Sequence, residues 1–255
     1  MELIDTHTHI YLPEFDSDRD QAVERAVQNC VIRLLMPNID VGSVSKMLSV
    51  ETRYPGICLP MIGLHPTSVK DDYQQQLDRL TEFTASHKFY GIGEIGIDLY
   101  WDMTYINEQI KAFRKQVAFG IETGLPVVIH CRNSFREVFE ALEEFRGSGI
   151  KGVFHAFTGS IGDAEKAVEF GFKLGIGGIV TFKNSGLDKT VREAGYKNIV
   201  LETDSPYLAP VPNRGKRNES SYLCIILDKL AEIFGIDKEE VASVAYANSV
   251  ELFKL

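Results

Sequence analysis

Five of the six histidines in this 255-residue chain stand where a short apolar run ends. They are His7 and His9 in Asp5-Thr6-His7-Thr8-His9, His65 in Gly63-Leu64-His65-Pro66, His130 in His130-Cys131-Arg132, and His155. Two carboxylates share that placement, Glu94 after Gly93 and Asp204 in Glu202-Thr203-Asp204. Imidazole suits Zn, Mn, Fe, Co or Ni, carboxylate admits Mn or Mg, and the absence of thiolate from the set argues against a closed structural zinc site. His7 and His9 are two apart on an extended segment, so their rings point to one side and reach one ion. With His130, His155, Glu94 and Asp204 the set has six donors, too many for one catalytic zinc. Two divalent ions sharing a bridging carboxylate use them all and leave positions open for water and substrate.

Each residue taken alone has a plainer reading. A strand-end histidine is commonly hydrogen-bonded into a core, Glu94 can satisfy loop amides, and Asp204 can cap a helix before Ser205-Pro206. Their joint placement favours the metal. His65 has no partner at ligand spacing, which leaves a substrate phosphate contact or a structural hydrogen bond. His87, beside Lys88 at the end of a charged stretch, reads as a surface residue. Asp98 is placed to orient a ligating histidine, and Cys131 reads as a buried small residue rather than a nucleophile.

The elements that must position these groups alternate. Apolar β-type runs cover residues 3–4, 31–36, 58–62, 90–95, 126–129, 152–154, 172–174 and 199–201. Helical-period stretches cover 18–29, 44–53, 73–87, 104–123, 134–145, 162–170, 186–194 and 220–234, and 238–253 forms a terminal helix. The strands are continuous apolar runs, as in a parallel sheet covered on both faces. Strand then helix eight times predicts a single-domain α/β protein over residues 1–255, a (β/α)8 TIM barrel with a C-terminal helix. A doubly wound open sheet is the main rival, but it spreads strand ends along a line, whereas a barrel gathers them on one face.

Length and mass predict about 11,000 Å² of folded surface. With 44% hydrophobic and 25% charged residues the chain is an ordinary globular one, not disordered or fibrous. The N-terminus lacks a basic-then-apolar signal, no apolar run spans a membrane, and four scattered cysteines without CxxC fit reduced thiols, so a cytoplasmic location without membrane contact is expected. A net charge of -9 disfavours long-range attraction of nucleic acid, so any such contact is local. The best local patch is Arg214, Lys216, Arg217 and Asn218, with Arg132 and Lys183 as additions; a solvated surface is its bland alternative. Tyr100, Trp101 and Tyr207 can stack bases or simply pack.

The stretches IDTHTHI (4–10), GLHP (63–66), GEIGID (93–98), VIHCR (128–132), HAFTGS (155–160), ETDSPYLAP (202–210) and RGKRNES (214–220) together resemble the TatD family of metal-dependent deoxyribonucleases, within the amidohydrolase-like metallohydrolases. Ser220 and Ser134 depart from residues the family often carries there, Pro and Ala, and neither is a candidate ligand. The resemblance implies a (β/α)8 barrel and metal ligands at His7, His9, Glu94, His130, His155 and Asp204. It also implies a 3′–5′ exonuclease acting on single-stranded DNA ends, in DNA repair or breakdown, with no obligatory protein partner. In that picture His7, His9 and Asp204 hold one ion, His130 and His155 the other, and Glu94 bridges. Asp204 and Glu94 are then the catalytic carboxylates, Asp204 taking the nucleophile's proton, and His65, Arg132, Arg214, Lys216 and Arg217 are candidate substrate contacts. The donors lean to zinc or manganese, whereas the family is usually described as magnesium-dependent. Two rivals keep the same residues: a hydrolase of an ester, lactone or amide, including an aminoacyl-tRNA ester, and a non-catalytic metal-binding scaffold.

Overall fold

The structure, a computed structural model, describes residues 1–255. Its eight strands are β1 (Leu3–Asp5), β2 (Val31–Pro37), β3 (Cys58–Met61), β4 (Ile92–Asp98), β5 (Val127–Arg132), β6 (Gly152–Phe154), β7 (Phe172–Ile176) and β8 (Ile199–Leu201). They pair in parallel in chain order, as a β1–β3 sheet and a β4–β8 sheet. Single bridges join the two, Ile62 to Ile92 and Thr8 to Ser205, and the Thr6 amide donates to the Leu201 carbonyl at 3.0 Å, closing the barrel. Helices α1 (Arg19–Gln28), α2 (Val41–Arg53), α3 (Tyr73–Phe83), α4 (Ile106–Thr123), α5 (Phe135–Leu142), α6 (Ile161–Glu169), α7 (Leu187–Ala194) and α8 (Leu223–Phe234) each follow a strand, and α9 (Lys238–Phe253) ends the chain. This is the TIM-type barrel that the alternation predicts.

Successive strand residues point to opposite faces, and the packing follows that period. Val127 and Ile129, Phe154, and Ile199 and Leu201 face the helices in one large core, while Val128, Val153 and Val200 join Ile4, Leu35, Leu59 and Met61 in a separate cluster inside the barrel. Leu252 and Phe253 of α9 belong to that inner cluster, so the end of the terminal helix packs against it. The exposed surface is 11226 Å², close to the value expected from mass. No helix is long and apolar enough to cross a membrane.

Two strands differ usefully from their sequence-based bounds. β4 continues to Asp98 and β5 to Arg132, so β4 runs four residues past Glu94 and His130 lies within its strand rather than after it. Glycine ordinarily weakens a strand, which is why the Gly-rich stretch reads as an end. Here it permits close approach: Gly96 pairs with His130, has φ 149°, and a Cβ there would lie 1.9 Å from the His130 carbonyl oxygen. α3 stops at Phe83, leaving His87 exposed beyond it.

The long return between β8 and α8 is tied to the start of α1. The Arg217 guanidinium donates to both oxygens of Asp18, at 2.5 and 2.8 Å, and to the Glu14 carbonyl, and it lies over the Phe15 ring. Arg25 links Asp18 to Glu219. Arg217 first, and Arg25 with it, hold the Asp18 carboxyl well below the usual carboxylate range against a smaller effect of burial. A carboxylate whose folded pKa is depressed stabilises the fold above its unfolded pKa, and that contribution disappears as pH falls through the folded value. Because Asp18 is partly exposed the effect is modest. Asp18→Asn is expected to lower the melting temperature by about 1–4 °C near pH 7, with the gap closing at strongly acidic pH; a gap independent of pH in calorimetry would remove the ion pair as its cause.

Candidate metal centre

The C-terminal strand ends open into a cavity of about 730 Å³ whose wall includes His9, His65, Glu94, His130, His155 and Asp204. Glu94 stands at its centre, and its two oxygens serve different neighbours. Oε2 lies 3.2 Å from His7 Nε2 and 3.6 Å from His9 Nε2. Oε1 lies 2.8 Å from His130 Nδ1, 3.4 Å from His65 Nε2 and 3.8 Å from His155 Nε2. Asp204 Oδ1 is 3.6 to 3.8 Å from the Nε2 atoms of His7, His9 and His155. The six residues expected as ligands are thus brought together from β1, β4, β5, β6 and β8 and the segments that follow them.

Partners outside the cluster decide which nitrogen faces it. Tyr11 spends its one hydroxyl proton on the Pro37 carbonyl at 2.7 Å, so it accepts from His9 Nδ1 at 3.0 Å, and this turns His9 Nε2 toward the carboxylates. Asp98 Oδ2 accepts from His130 Nε2 at 2.8 Å, turning Nδ1 toward Glu94. His155 Nδ1 lies 2.9 Å from Glu202 Oε1, off the hydrogen-bond axis, and the same oxygen accepts from the Ala156 amide. His65 is arranged the opposite way. Its Nδ1 accepts the Thr67 amide proton, so its own proton sits on Nε2, aimed at Glu94 as a donor rather than a ligand. Burial lowers the His65 pKa, Glu94 opposing, which keeps the ring neutral.

The charge balance calls for cations. His7 Nε2 lies only 3.2 Å from His9 Nε2, nitrogen facing nitrogen, and His7 Nδ1 is buried without a partner. Burial, with the stacked His155 ring next, pushes His7 down to about 4. Burial also opposes charge on His9 and His155, yet Tyr11, Asp204 and Glu94 hold His9 well above its ordinary value, and Glu202, Glu94 and Asp204 lift His155 to about 9. Burial raises Glu94, but His65, His7 and His155 outweigh it and hold the carboxyl well below the usual range. A buried ring of lone pairs and carboxylate oxygens without thiolate fits divalent cations. Ligand atoms within 4.8 Å of one another group as His7–His9–Glu94, His7–His155–Asp204 and His65–Glu94–His130.

The backbone around the cavity is unusual. Of six non-glycine residues with positive φ, four line it: Asn133, Ala156, Asp204 and Leu208. Such conformations persist where surrounding structure enforces them, commonly at working sites. For Asp204 (φ 57°) the restraints are its amide to the His7 carbonyl and its carbonyl to the Tyr207 amide.

A family model described as TatD related DNase matches residues 4–254. The chain belongs to that family. It is 35% identical to a Bacillus subtilis (strain 168) protein described as uncharacterized metal-dependent hydrolase YabD, over 99% of both chains. It is 28% identical to the Erwinia billingiae protein named 3'-5' ssDNA/RNA exonuclease TatD, again over 99% of both. The crystal structure of the TatD homologue YjjV from Escherichia coli K12 superimposes with a TM-score of 0.90 at 26% identity, covering 99% of this chain and 98% of that one. The TatD chain described here is therefore a metal-dependent hydrolase.

Among the expected substrate contacts, His65 and Arg132 line the cavity of this TatD protein, while Arg214, Lys216 and Arg217 do not. Arg217 is occupied by Asp18, and Arg214 lies over the Phe182 ring. Asn218 works internally, its side-chain amide donating to the Thr203 and Tyr207 carbonyls to brace the Asp204 turn. Cys131 is half-buried at the cavity wall rather than fully buried as expected, and burial pushes its thiol up to about 12, as suits an inert residue.

Tyr11 and Glu202 escaped sequence reasoning as supports for His9 and His155. The only signal was proximity in the chain, Tyr11 lying two residues after His9 and Glu202 two before Asp204; the turns that aim them form only in the fold. Glu202→Gln is expected to weaken metal binding by about 10–100-fold, the usual cost of losing an outer partner, while the circular dichroism spectrum stays native. Unchanged affinity in a chelator competition would show that Glu202 does not orient His155.

Proposed function

We propose that the chain is a two-metal deoxyribonuclease removing nucleotides stepwise from the 3′ end of single-stranded DNA. The observation that carries this reading is the division of Glu94, with Oε2 toward His7 and His9 and Oε1 toward His130 and His155. His7, His9 and Asp204 would hold one divalent ion, His130 and His155 the other, with Glu94 common to both; the donors suit Zn or Mn, and the carboxylates also admit Mg. Bound in this way, two ions supply Lewis acidity, bringing a water's pKa to about 7 and neutralising charge in an in-line displacement. Asp204 accepts the proton of the attacking water, since its Oδ1 reaches both imidazole groups and its side chain remains partly open to the cavity. Asp98 and Glu202 keep His130 and His155 turned toward the reacting centre. Arg132, at the cavity wall, holds a phosphate oxygen of the strand. The exonuclease name carried by the Erwinia billingiae relative supports the nucleic-acid substrate.

A second reading, hydrolysis of an ester or amide such as an aminoacyl-tRNA ester, is favoured by one observation: Arg217 is engaged by Asp18, which leaves few free cations for a phosphate backbone. The deciding experiment uses chelated protein, with Mg, Mn or Zn restored, on 3′-labelled and 5′-labelled single strands. Metal-restored stepwise loss from the 3′ end is expected. A folded, metal-loaded protein that cuts no strand under any of the three ions but cleaves small esters establishes the second reading instead.

A further inference from the structure

Large apolar side chains are exposed almost only at the rim of the metal cavity. Of eight such residues, six stand on the loops after β4 and β8: Tyr100, Trp101, Met103, Tyr207, Leu208 and Val211. Trp101, Tyr207 and Leu208 line the cavity itself. Concentrated exposed apolar surface around a polar cleft marks a binding site, because single exposed residues scatter.

The rings are held open rather than collapsed. Asp98 Oδ1 accepts the backbone amides of Tyr100 at 2.8 Å and Trp101 at 3.0 Å, and the Leu99 amide donates to the Arg132 carbonyl. The Arg132 guanidinium covers the Tyr100 ring at 3.9 Å and reaches the Trp101 ring at 5.3 Å. Tyr100 and Trp101 stand edge to face at 86°, and Trp101 is still 68% exposed. On the opposite rim, Tyr207 is 47% exposed, its backbone fixed by the Asp204 carbonyl. The site therefore offers flat, preorganised rings beside a cation and next to the carboxylate–imidazole cluster. Aromatic side chains with a neighbouring cation grip single-stranded nucleic acid without reading its sequence, since every base has a π face.

We propose that Trp101, with Tyr100 beside it and Tyr207 across the mouth, is a stacking platform for a nucleobase of the strand being cut. The platform rests on the nuclease reading above. Asp98 makes it part of the same unit as the metal centre, because one carboxylate anchors the loop through Oδ1 and His130 through Oδ2.

Trp101 is the chain's sole tryptophan, so its fluorescence reports the platform directly. Metal-loaded protein is titrated with a labelled single strand of about ten nucleotides, within the usual site size, whose 3′ linkages are phosphorothioates that resist cleavage. A strand of equal length with abasic 3′ residues is the control. Anisotropy of the label measures binding, and tryptophan emission measures stacking. Quenching by the base-bearing strand but not by the abasic one is expected. In turnover, Trp101→Ala should raise KM by roughly 5- to 100-fold, Trp101→Phe should recover most of that, and the loss should vanish on the abasic strand. A strand that binds and is cut while emission and the Trp101→Ala KM stay unchanged overturns the platform alone. A strand that neither binds nor is cut, with the metal-loaded protein folded, overturns the nuclease reading and the platform with it.

Discussion

Asp204→Asn lowers kcat by about 10²–10⁴-fold, the contribution typical of a positioned general base, while the melting temperature stays within about 4 °C of wild type. Asparagine is the informative substitution for a conformational reason. Asp204 has φ 57°, and asparagine tolerates that left-handed conformation far better than alanine, so the turn between β8 and Tyr207 keeps its shape. The amide preserves size and one acceptor oxygen but cannot take a proton. Of its Oδ1 neighbours, His9 keeps Tyr11, His155 keeps Glu202, and His7 keeps its stack on the His155 ring. Retention of more than a few per cent of activity, measured with saturating metal, would remove Asp204 from the proton-accepting role and turn attention to Glu94.

Glu94→Gln loses more metal. Its two oxygens face separate groups of imidazoles, and an amide replaces one of them with an NH₂ group that donates instead of accepting. Whichever way the amide lies, one set of ligands loses its anionic partner, and the buried histidines regain an uncompensated need for protons. Metal affinity is therefore expected to fall beyond the roughly 10–100-fold that an outer partner contributes, with hydrolysis falling alongside. Dialysis against buffered free metal followed by elemental analysis gives the stoichiometry. Wild-type metal content in Glu94→Gln would show that Glu94 does not connect two ions.

Under the proposed strand-end reading, the acidic surface and the local site are compatible. A net charge of -9 gives no field to hold duplex at long range. Contact with a strand end needs only the cavity, Arg132 and the exposed rings beside it. The expected RGKRN patch shows how sequence position can mislead: Arg217 follows the Asp204 strand end yet spends its guanidinium on Asp18, 199 residues earlier.

The donor set and the barrel were legible from the chain alone because both depend on local properties. Which side chains donate nitrogen or oxygen is a matter of residue type, and apolar runs alternating with helical periodicity show where strands end. Four of the five strand-end histidines, with two carboxylates, were enough to nominate a metal cluster. The tertiary structure decided everything that depends on distant partners and register. Glycine-rich β4 reads as ending early, but its pairing with β5 carries it on to Asp98, placing Glu94 and Asp98 on either side of His130. His65 stands at a strand end like the others, yet the Thr67 amide leaves its Nε2 as a donor. The division of Glu94, the supports from Tyr11 and Glu202, and the engagement of Arg217 likewise arise from groups that only folding brings within hydrogen-bond range. Residue chemistry is written position by position, whereas the direction of a lone pair is set by whatever the fold places behind it.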